Sequence, residues 1–416
     1  MKNYCCFLFL QTFLIFILNL IISGAKGFVQ DDSFFKGCSK RKRFSLTAKE
    51  FAFVSGETPR ILIVDAIDKS AAQPLLNIKC EVEFKYGLQD QDLAGILNEY
   101  DGVVIRSANT ITKAMIEHAP KLLVIGRAGV GVDNIDVNAA IENTKFVVNS
   151  PNGNSVAVAE HTFALMLGVA RRLCEANLSM AQGKWEKKNL MGLGLKGKTL
   201  GILGFGSIGK EVSIRAKAFG MKLITTDTSL SLRESKPSDY DKDTKDRFAQ
   251  LCAQGIEPLP FADVLKESDF LTLHVPLTDE TRNLIGEPEL QLMKKNAILV
   301  NVARGGVVDE KALLSVMEKG HLGGAALDVF VTEKNPTDPV VQQLSRLSNV
   351  ISTPHIGAAT PDAGFEVLIE VCEAMASLFQ GIAPKSACVS PFNLEYDLKL
   401  SEIKASSHRL KKKCAS

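Results

Sequence analysis

From about residue 60 onward, short apolar runs bounded by polar, Gly or Pro residues recur along the chain, with stretches of helical period between them. The first is ILIVDAI from Ile61, followed by CEVEF from Cys80, GVVIR from Gly102, LLVIGRAG from Leu122 and FVVN from Phe146. Runs this short and this continuously apolar suit strands covered on both faces, and their alternation with helices predicts a parallel α/β sheet. From Ser155 to Gly183 apolar positions repeat at helical spacing without a proline, so one long helix is expected, with Asn154 or Ser155 as N-cap. A second series starts at Thr199 with TLGIL, KLITTD, FLTLHVP, AILVNVA, GGAALDVF and NVISTPH, six runs that predict a complete second sheet. Helical spacing from Ala363 to Gln380 then carries the chain back to the first unit, making that unit discontinuous.

Ahead of this body, Cys5 to Ile22 is uncharged and apolar after a single Lys2. About 18 residues make a helix of roughly 27 Å, marginal for a bilayer span and a little long for the core of a signal peptide. Ser23, Gly24, Ala25 and Gly27 suit signal-peptidase cleavage, so the segment reads as a removed signal peptide or a retained anchor. Residues 28–57 carry the basic run Lys40, Arg41, Lys42, Arg43 among Ser and Thr. A signal followed by such a stretch resembles the bipartite leaders of plastids reached through the secretory pathway; the alternative is a linker in a secreted or endomembrane-tethered protein. The nine cysteines are scattered, with no pair at metal-ligand or redox-motif spacing, so no metal site is expected and a reducing final compartment fits best.

Composition narrows the class. Over 416 residues, 46% hydrophobic and 23% charged side chains exclude a disordered, collagenous or disulfide-stapled chain. With 49 Lys+Arg against 47 Asp+Glu the formal charge is +2, which argues against nucleic acid as a partner; membrane contact is expected only through an uncleaved leader. The expected architecture is two Rossmann-like, doubly wound parallel-sheet domains behind a targeting leader. Its parts are a leader over 1–27, a spacer over 28–57, a substrate-binding domain from 58–151 and 356–395, a dinucleotide-binding domain over 152–355, and a basic tail over 396–416. Gly381 to Ser416 is too short for a further regulatory domain.

The run TLGIL leads into Gly204-Phe-Gly206-Ser-Ile-Gly209 and a helical stretch. In that context the first Gly permits a tight turn, the second lets backbone approach a pyrophosphate, and the third lets helix pack on strand. The next run ends in Asp227, 18 residues after Gly209, where a carboxylate would accept from ribose hydroxyls and repel a 2′-phosphate. NAD rather than NADP is therefore the expected cofactor. The charged stretch from Thr228 to Gln254 reads as a surface insertion beside the adenine, with no chemistry assigned.

In open α/β sheets, chemistry belongs at the carboxyl ends of strands. Three candidates stand there: Arg304 after AILVNVA, Glu333 just beyond GGAALDVF, and His355 just beyond NVIS. The arginine can hold a carboxylate in bidentate fashion, and a carboxylate beside an imidazole orients it and favours its protonated form. Such a set suits alcohol oxidation, with His355 as base.

At this point the chain resembles the NAD-dependent D-isomer-specific 2-hydroxyacid dehydrogenases, most closely their phosphoglycerate dehydrogenases. The matching passages are IRSANTIT from Ile105, GRAGVGVDNID from Gly126, NSPNGNSVAVAEHT from Asn149, GKTLGILGFGSIGKEV from Gly197, HVPLTDETRNLI from His274, VNVARGGVVDE from Val300, GAALDVF from Gly324 and ISTPHIGAAT from Ile351. The resemblance implies a catalytic set of Arg304, Glu333 and His355. It implies NAD contacts at Val130, Ser207, Ile208, Asp227, Val275, Val302, Ala303, Arg304, Asp328, His355, Ile356, Gly357 and Ala358. It implies substrate contacts at Arg106, Ser107, Arg127, Asn152, Gly153 and Asn154, with Arg127 alternatively a hinge support, and hinges near Pro151 and after His355. A homodimer or homotetramer is expected, with the long helix from Ser155 in the interface. Two arginines in the first domain suit a phosphorylated 2-hydroxy acid, giving oxidation of D-3-phosphoglycerate to 3-phosphohydroxypyruvate as the expected reaction. The alternatives are a glyoxylate, hydroxypyruvate or other D-2-hydroxyacid reductase and, from another class, an NAD-sensing corepressor-like binding protein. Around Glu333 the sequence VTEKNPTDP departs from the family's acidic–acidic–proline run.

Overall fold

The structure, a computed structural model, describes residues 58–384 apart from 66–67, 227–241, 334, 336 and 383. The expected leader, spacer, basic tail and Asp227 lie outside the described residues.

The first sheet is built from β1 (Arg60–Ile63), β2 (Glu81–Phe84), β3 (Gly102–Ile105), β4 (Val124–Arg127) and β5 (Phe146–Asn149), interleaved with α1 (Gln73–Asn77), α2 (Asp90–Ile96), α3 (Lys113–Glu117) and α4 (Val137–Glu142). Its strands are all parallel in the order β2-β1-β3-β4-β5, so the chain reverses direction across the sheet between β1 and β3. Such a reversal opens a crevice at the carboxyl ends.

The chain then passes through α5 (Ser155–Ala170) and α6 (Leu173–Ala181) into β6 (Thr199–Leu203), α7 (Ser207–Ala218), β7 (Lys222–Thr226), α8 (Lys242–Ala253), β8 (Ile256–Pro258), α9 (Phe261–Glu267) and β9 (Phe270–Leu273). It continues through α10 (Glu287–Leu292), β10 (Ile298–Asn301), α11 (Glu310–Glu318), β11 (Gly324–Leu327), α12 (Pro339–Arg346), β12 (Val350–Ser352) and α13 (Pro361–Phe379). This second sheet has seven parallel strands in the order β12-β11-β10-β9-β6-β7-β8, reversing between β6 and β9.

Helix α13 starts at Thr360, whose hydroxyl caps the Ala363 N–H at 3.1 Å, with Pro361 at the first helical position. Its apolar stripe of Val367, Leu368, Val371, Cys372 and Met375 joins Ile61, Ile63, Val124 and Val148 in the core of the first sheet. Positions three and four apart on a helix share a face, so one stripe ties a segment some 200 residues later in the chain to the first five strands.

Three expectations change. The long helix from Ser155 is broken, because the Ala170 carbonyl accepts the Leu193 N–H at 2.7 Å and Arg172 turns to a left-handed φ of 53° before α6 begins. Asn154 occupies the N-cap position of α5 without a capping bond, and its Oδ1 is buried and unpartnered. The second sheet has a seventh strand, β8, and the expected insertion contributes α8 ahead of it. A three-residue edge strand ending in proline has too little apolar pattern to be read from sequence.

Candidate active site

The turn after β6 fits the backbone of a dinucleotide site. Gly204 has φ +92°, and a Cβ there would stand 2.5 Å from the His274 carbonyl oxygen. Gly206 caps α7 with no side chain, and a Cβ on it would meet nothing within 4 Å, so this side of the turn is open. A Cβ on Gly209 would lie 2.4 Å from the Gly204 carbonyl oxygen, so the third glycine is required by contact between helix and turn. The free N–H groups and positive dipole end of α7 therefore face open space, as a pyrophosphate needs. Val275, Val302 and Ala303 are buried, while Ile208 and Ala358 are half-buried and pack against the core beneath this turn. His274, also behind it, is pushed down to about 3 by burial and is neutral, bonded through Nε2 to the Thr272 hydroxyl at 3.0 Å.

Strands β10, β11 and β12 are neighbours, and their carboxyl ends deliver Arg304, Asp328 and His355 to one edge of the second sheet. His355 Nδ1 lies 3.0 Å from Glu333 Oε2, both side chains over a third exposed, which leaves the imidazole Nε2 available to a ligand. His355 has a left-handed φ of 54°, and its N–H donates to the Asp328 carbonyl at 2.8 Å. The Asp328 carboxylate, 1% exposed, accepts from the Thr353 hydroxyl at 2.6 Å, the Ile356 N–H at 2.9 Å and the Gly357 N–H at 2.8 Å. His161 of α5 stands 3.3 Å away. Burial alone would raise this carboxyl, but the hydrogen bonds of His161, Thr353, Ile356 and Gly357 outweigh it and hold it below the usual range. These bonds fix the segment that carries His355 to Asp328, one of the residues expected to meet NAD.

Arg304 donates through Nη1 to its neighbour's carbonyl, Ala303 O, at 2.7 Å and through Nε to Asp133 Oδ1 at 3.2 Å, so it bridges from the second sheet to the GVGVDN loop after β4. Arg127, the last residue of β4, bonds the Ala128 carbonyl at 3.1 Å, while its Nε is buried and unpartnered. Burial, then the charges of Arg304 and Arg106, push its guanidinium down to about 10. Three arginines from β3, β4 and β10 therefore share one region. Two acidic residues not singled out in sequence temper it. Burial pushes the Asp133 carboxyl up, but the Arg304 charge, hydrogen bonds from its own N–H and from Arg304, and the Arg127 charge together outweigh it and hold it below the usual range. Asp65, after β1, is raised by burial against the opposing pull of Arg106 and Arg127, and its Oδ2 is buried without a partner. Ser107 is exposed beside Arg106. The turn Asn152–Asn154 reaches the dinucleotide side, where the Ser207 hydroxyl donates to Asn152 Oδ1 at 2.8 Å. Nearby, the Val130 carbonyl accepts from Asn149 Nδ2 at 2.6 Å.

Residues 163–357 match the model of the D-isomer specific 2-hydroxyacid dehydrogenase NAD binding domain. Over 315 residues the chain is 43% identical to the hydroxypyruvate reductase of Thermotoga maritima, covering 76% of this chain and 96% of that one. The chain belongs to the D-isomer specific 2-hydroxyacid dehydrogenase family. It is also 40% identical over 340 residues to the D-3-phosphoglycerate dehydrogenase of Synechocystis, covering 82% of this chain and 57% of that one. The chain spans 57%, 58% and 59% of the lengths of three curated phosphoglycerate dehydrogenases it matches. Among solved structures, the TT0316 protein of Thermus thermophilus superposes with a TM-score of 0.67 at 33% identity, covering 79% of this chain and 99% of that one. The matched NAD-binding domain contains the glycine triplet, Arg304, Glu333 and His355, whereas Arg106, Arg127 and Asn152–Asn154 precede it.

The two glycines at the mouth of α7 should separate binding from folding. Gly206→Ala is expected to leave the melting temperature within about 2 °C and weaken NADH, followed by its fluorescence, at least about tenfold. Gly209→Ala, pressed on backbone, is expected to lower the melting temperature by about 4 °C or more. The reverse pattern would remove the assignment of the open side to the pyrophosphate.

Proposed function

We propose that the protein oxidises D-3-phosphoglycerate to 3-phosphohydroxypyruvate with NAD, the reaction that opens phosphorylated serine biosynthesis. The observation that carries this reading is the convergence of Arg106, Arg127 and Arg304 on one region beside the carboxyl ends of both sheets. A substrate with a carboxylate at one end and a phosphate at the other would meet Arg304 with the first and the arginine pair of the first domain with the second. Lactate and glycerate have no anion to offer that pair, and a buried guanidinium left without a partner is costly. The name of the Synechocystis relative supports the same substrate.

When bound, NAD supplies the acceptor for the hydride leaving the hydroxyl-bearing carbon. The chain's own residues do the rest. His355 takes the hydroxyl proton at Nε2, because Glu333 engages Nδ1 and stabilises the imidazolium that results. Arg304 orients the carboxylate; to do so it has to share or release Asp133. Asp328 keeps the His355 segment in register throughout. A second reading, reduction of hydroxypyruvate or glyoxylate, is favoured by the Thermotoga relative, nearly all of which the chain covers.

We also read the protein as a homo-oligomer. The segment after α5 leaves Leu173, Leu178, Met180, Trp185 and Met191 54%, 58%, 56%, 80% and 83% exposed, a concentration of apolar surface suited to a second copy. Sedimentation equilibrium is expected to give a dimer or tetramer; a monomer at micromolar concentration would overturn this.

For the substrate, initial rates with NAD should favour D-3-phosphoglycerate over D-glycerate and D-lactate by about 100-fold or more in kcat/KM. Arg106→Ala should reduce that preference at least about tenfold by its effect on the phosphorylated substrate. Equal rates on the three acids, or equal losses, would favour the second reading.

A further inference from the structure

We infer that Glu370, on α13, is a positioning residue that sets the Asn152–Asn154 turn and through it the spacing between the substrate and dinucleotide sides of the cleft. The chain leaves β5 through Ser150 and Pro151 and must turn at once into α5. At this turn several donors converge on one carboxylate. The Ser150 hydroxyl donates to Glu370 Oε2, as do the N–H groups of Gly153 at 3.1 Å and Asn152 at 3.4 Å, while Asn152 Nδ2 lies 3.5 Å from Oε1. The Gly153 N–H also reaches the Ser150 hydroxyl at 3.2 Å, closing a small network. Gly153 itself is pressed on the helix: a Cβ there would stand 2.8 Å from the Val367 backbone nitrogen and 2.9 Å from the Glu366 carbonyl carbon. The turn is therefore seated on α13 by steric fit and held there by charge-assisted hydrogen bonds.

The consequence runs past the turn. An amide that gives its Nδ2 to Glu370 must present its Oδ1 the other way, and that oxygen accepts the hydroxyl of Ser207, the first residue of α7. Glu370, Asn152 and Ser207 thus form a chain from the helix that completes the first domain to the mouth of the dinucleotide turn. The carboxylate lies 218 residues from Asn152, so no local pattern links the two. Without its anion the two N–H groups and the Ser150 hydroxyl lose their common acceptor, and the turn is free to leave the geometry in which Asn152 and Asn154 meet substrate. Chemistry at His355 does not touch this network.

The inference rests on the proposed function only in that the turn takes part in binding the hydroxy acid. Glu370→Gln, which keeps size and removes charge, is the direct test. Expected are a rise of about tenfold in KM for the hydroxy acid, kcat within about twofold, and faster deuterium exchange in the peptide spanning 149–155 with the melting temperature nearly unchanged. Ser150→Ala, which removes one donor, should show the same pattern at about threefold, and serves if the first variant does not fold. Unchanged KM and unchanged exchange, or a fall in kcat with KM intact, would overturn the inference. Should none of the three acids tested above be turned over, the functional reading fails by itself; the exchange of residues 149–155 and NADH titration then decide the role of Glu370.

Discussion

The segment that carries His355 depends on the carboxylate of Asp328. His355 occupies a left-handed backbone conformation that a non-glycine residue adopts at a cost of about 1 kcal/mol. The segment Thr353–Gly357 stays there because its N–H groups and a threonine hydroxyl converge on one buried anion. An uncompensated carboxylate at 1% exposure would be expensive, and here the donors lower its pKa. A carboxyl held below its ordinary value contributes stability that is complete above that ordinary value and is lost as pH falls through the lowered one. The anchor is therefore fully formed across the range in which an imidazole exchanges protons.

From that anchor the division of labour between the sheets follows. The second sheet supplies the open turn at α7, the Glu333–His355 pair and Arg304, all at carboxyl ends on the side of its reversal. The first sheet supplies Arg106, Arg127 and Asp65 at the carboxyl ends of β3, β4 and β1, on the side of its own reversal. In a chain with a formal charge of only +2, positive charge is thus concentrated where an anionic substrate would enter, and Asp65 and Asp133 limit the mutual repulsion of the guanidiniums. Arg304 also reaches Asp133, so the side chain proposed to hold the substrate carboxylate links the second sheet to the loop after β4.

How far the sequence can be read depends on how far apart the interacting residues stand. Arg304, Glu333 and His355 are visible because each follows an apolar run that ends at the same side of a parallel sheet. The glycine triplet is visible because strand, turn and helix are contiguous. By contrast, the break between α5 and α6 rests on a bond from Ala170 to Leu193, which no helical period reports. Asp65 and Asp133 look like ordinary loop acids until the strands bring arginines beside them. Asp328 is picked out from sequence only through the resemblance, as an NAD contact, and the packed structure adds that its oxygens hold the His355 segment. Glu370 is a helical acid in a long amphipathic pattern, and its partners lie more than 200 residues earlier.

In the proposed reaction, hydride leaves the hydroxyl-bearing carbon of a phosphorylated D-2-hydroxy acid. D-3-Phosphoglycerate carrying deuterium at that carbon, incubated with the protein and NAD, tests it most directly. Each NADH formed should carry one deuterium, and none should form in the same reaction run with His355→Asn over the same time. NADH without the label, or undiminished transfer by the variant, would contradict it.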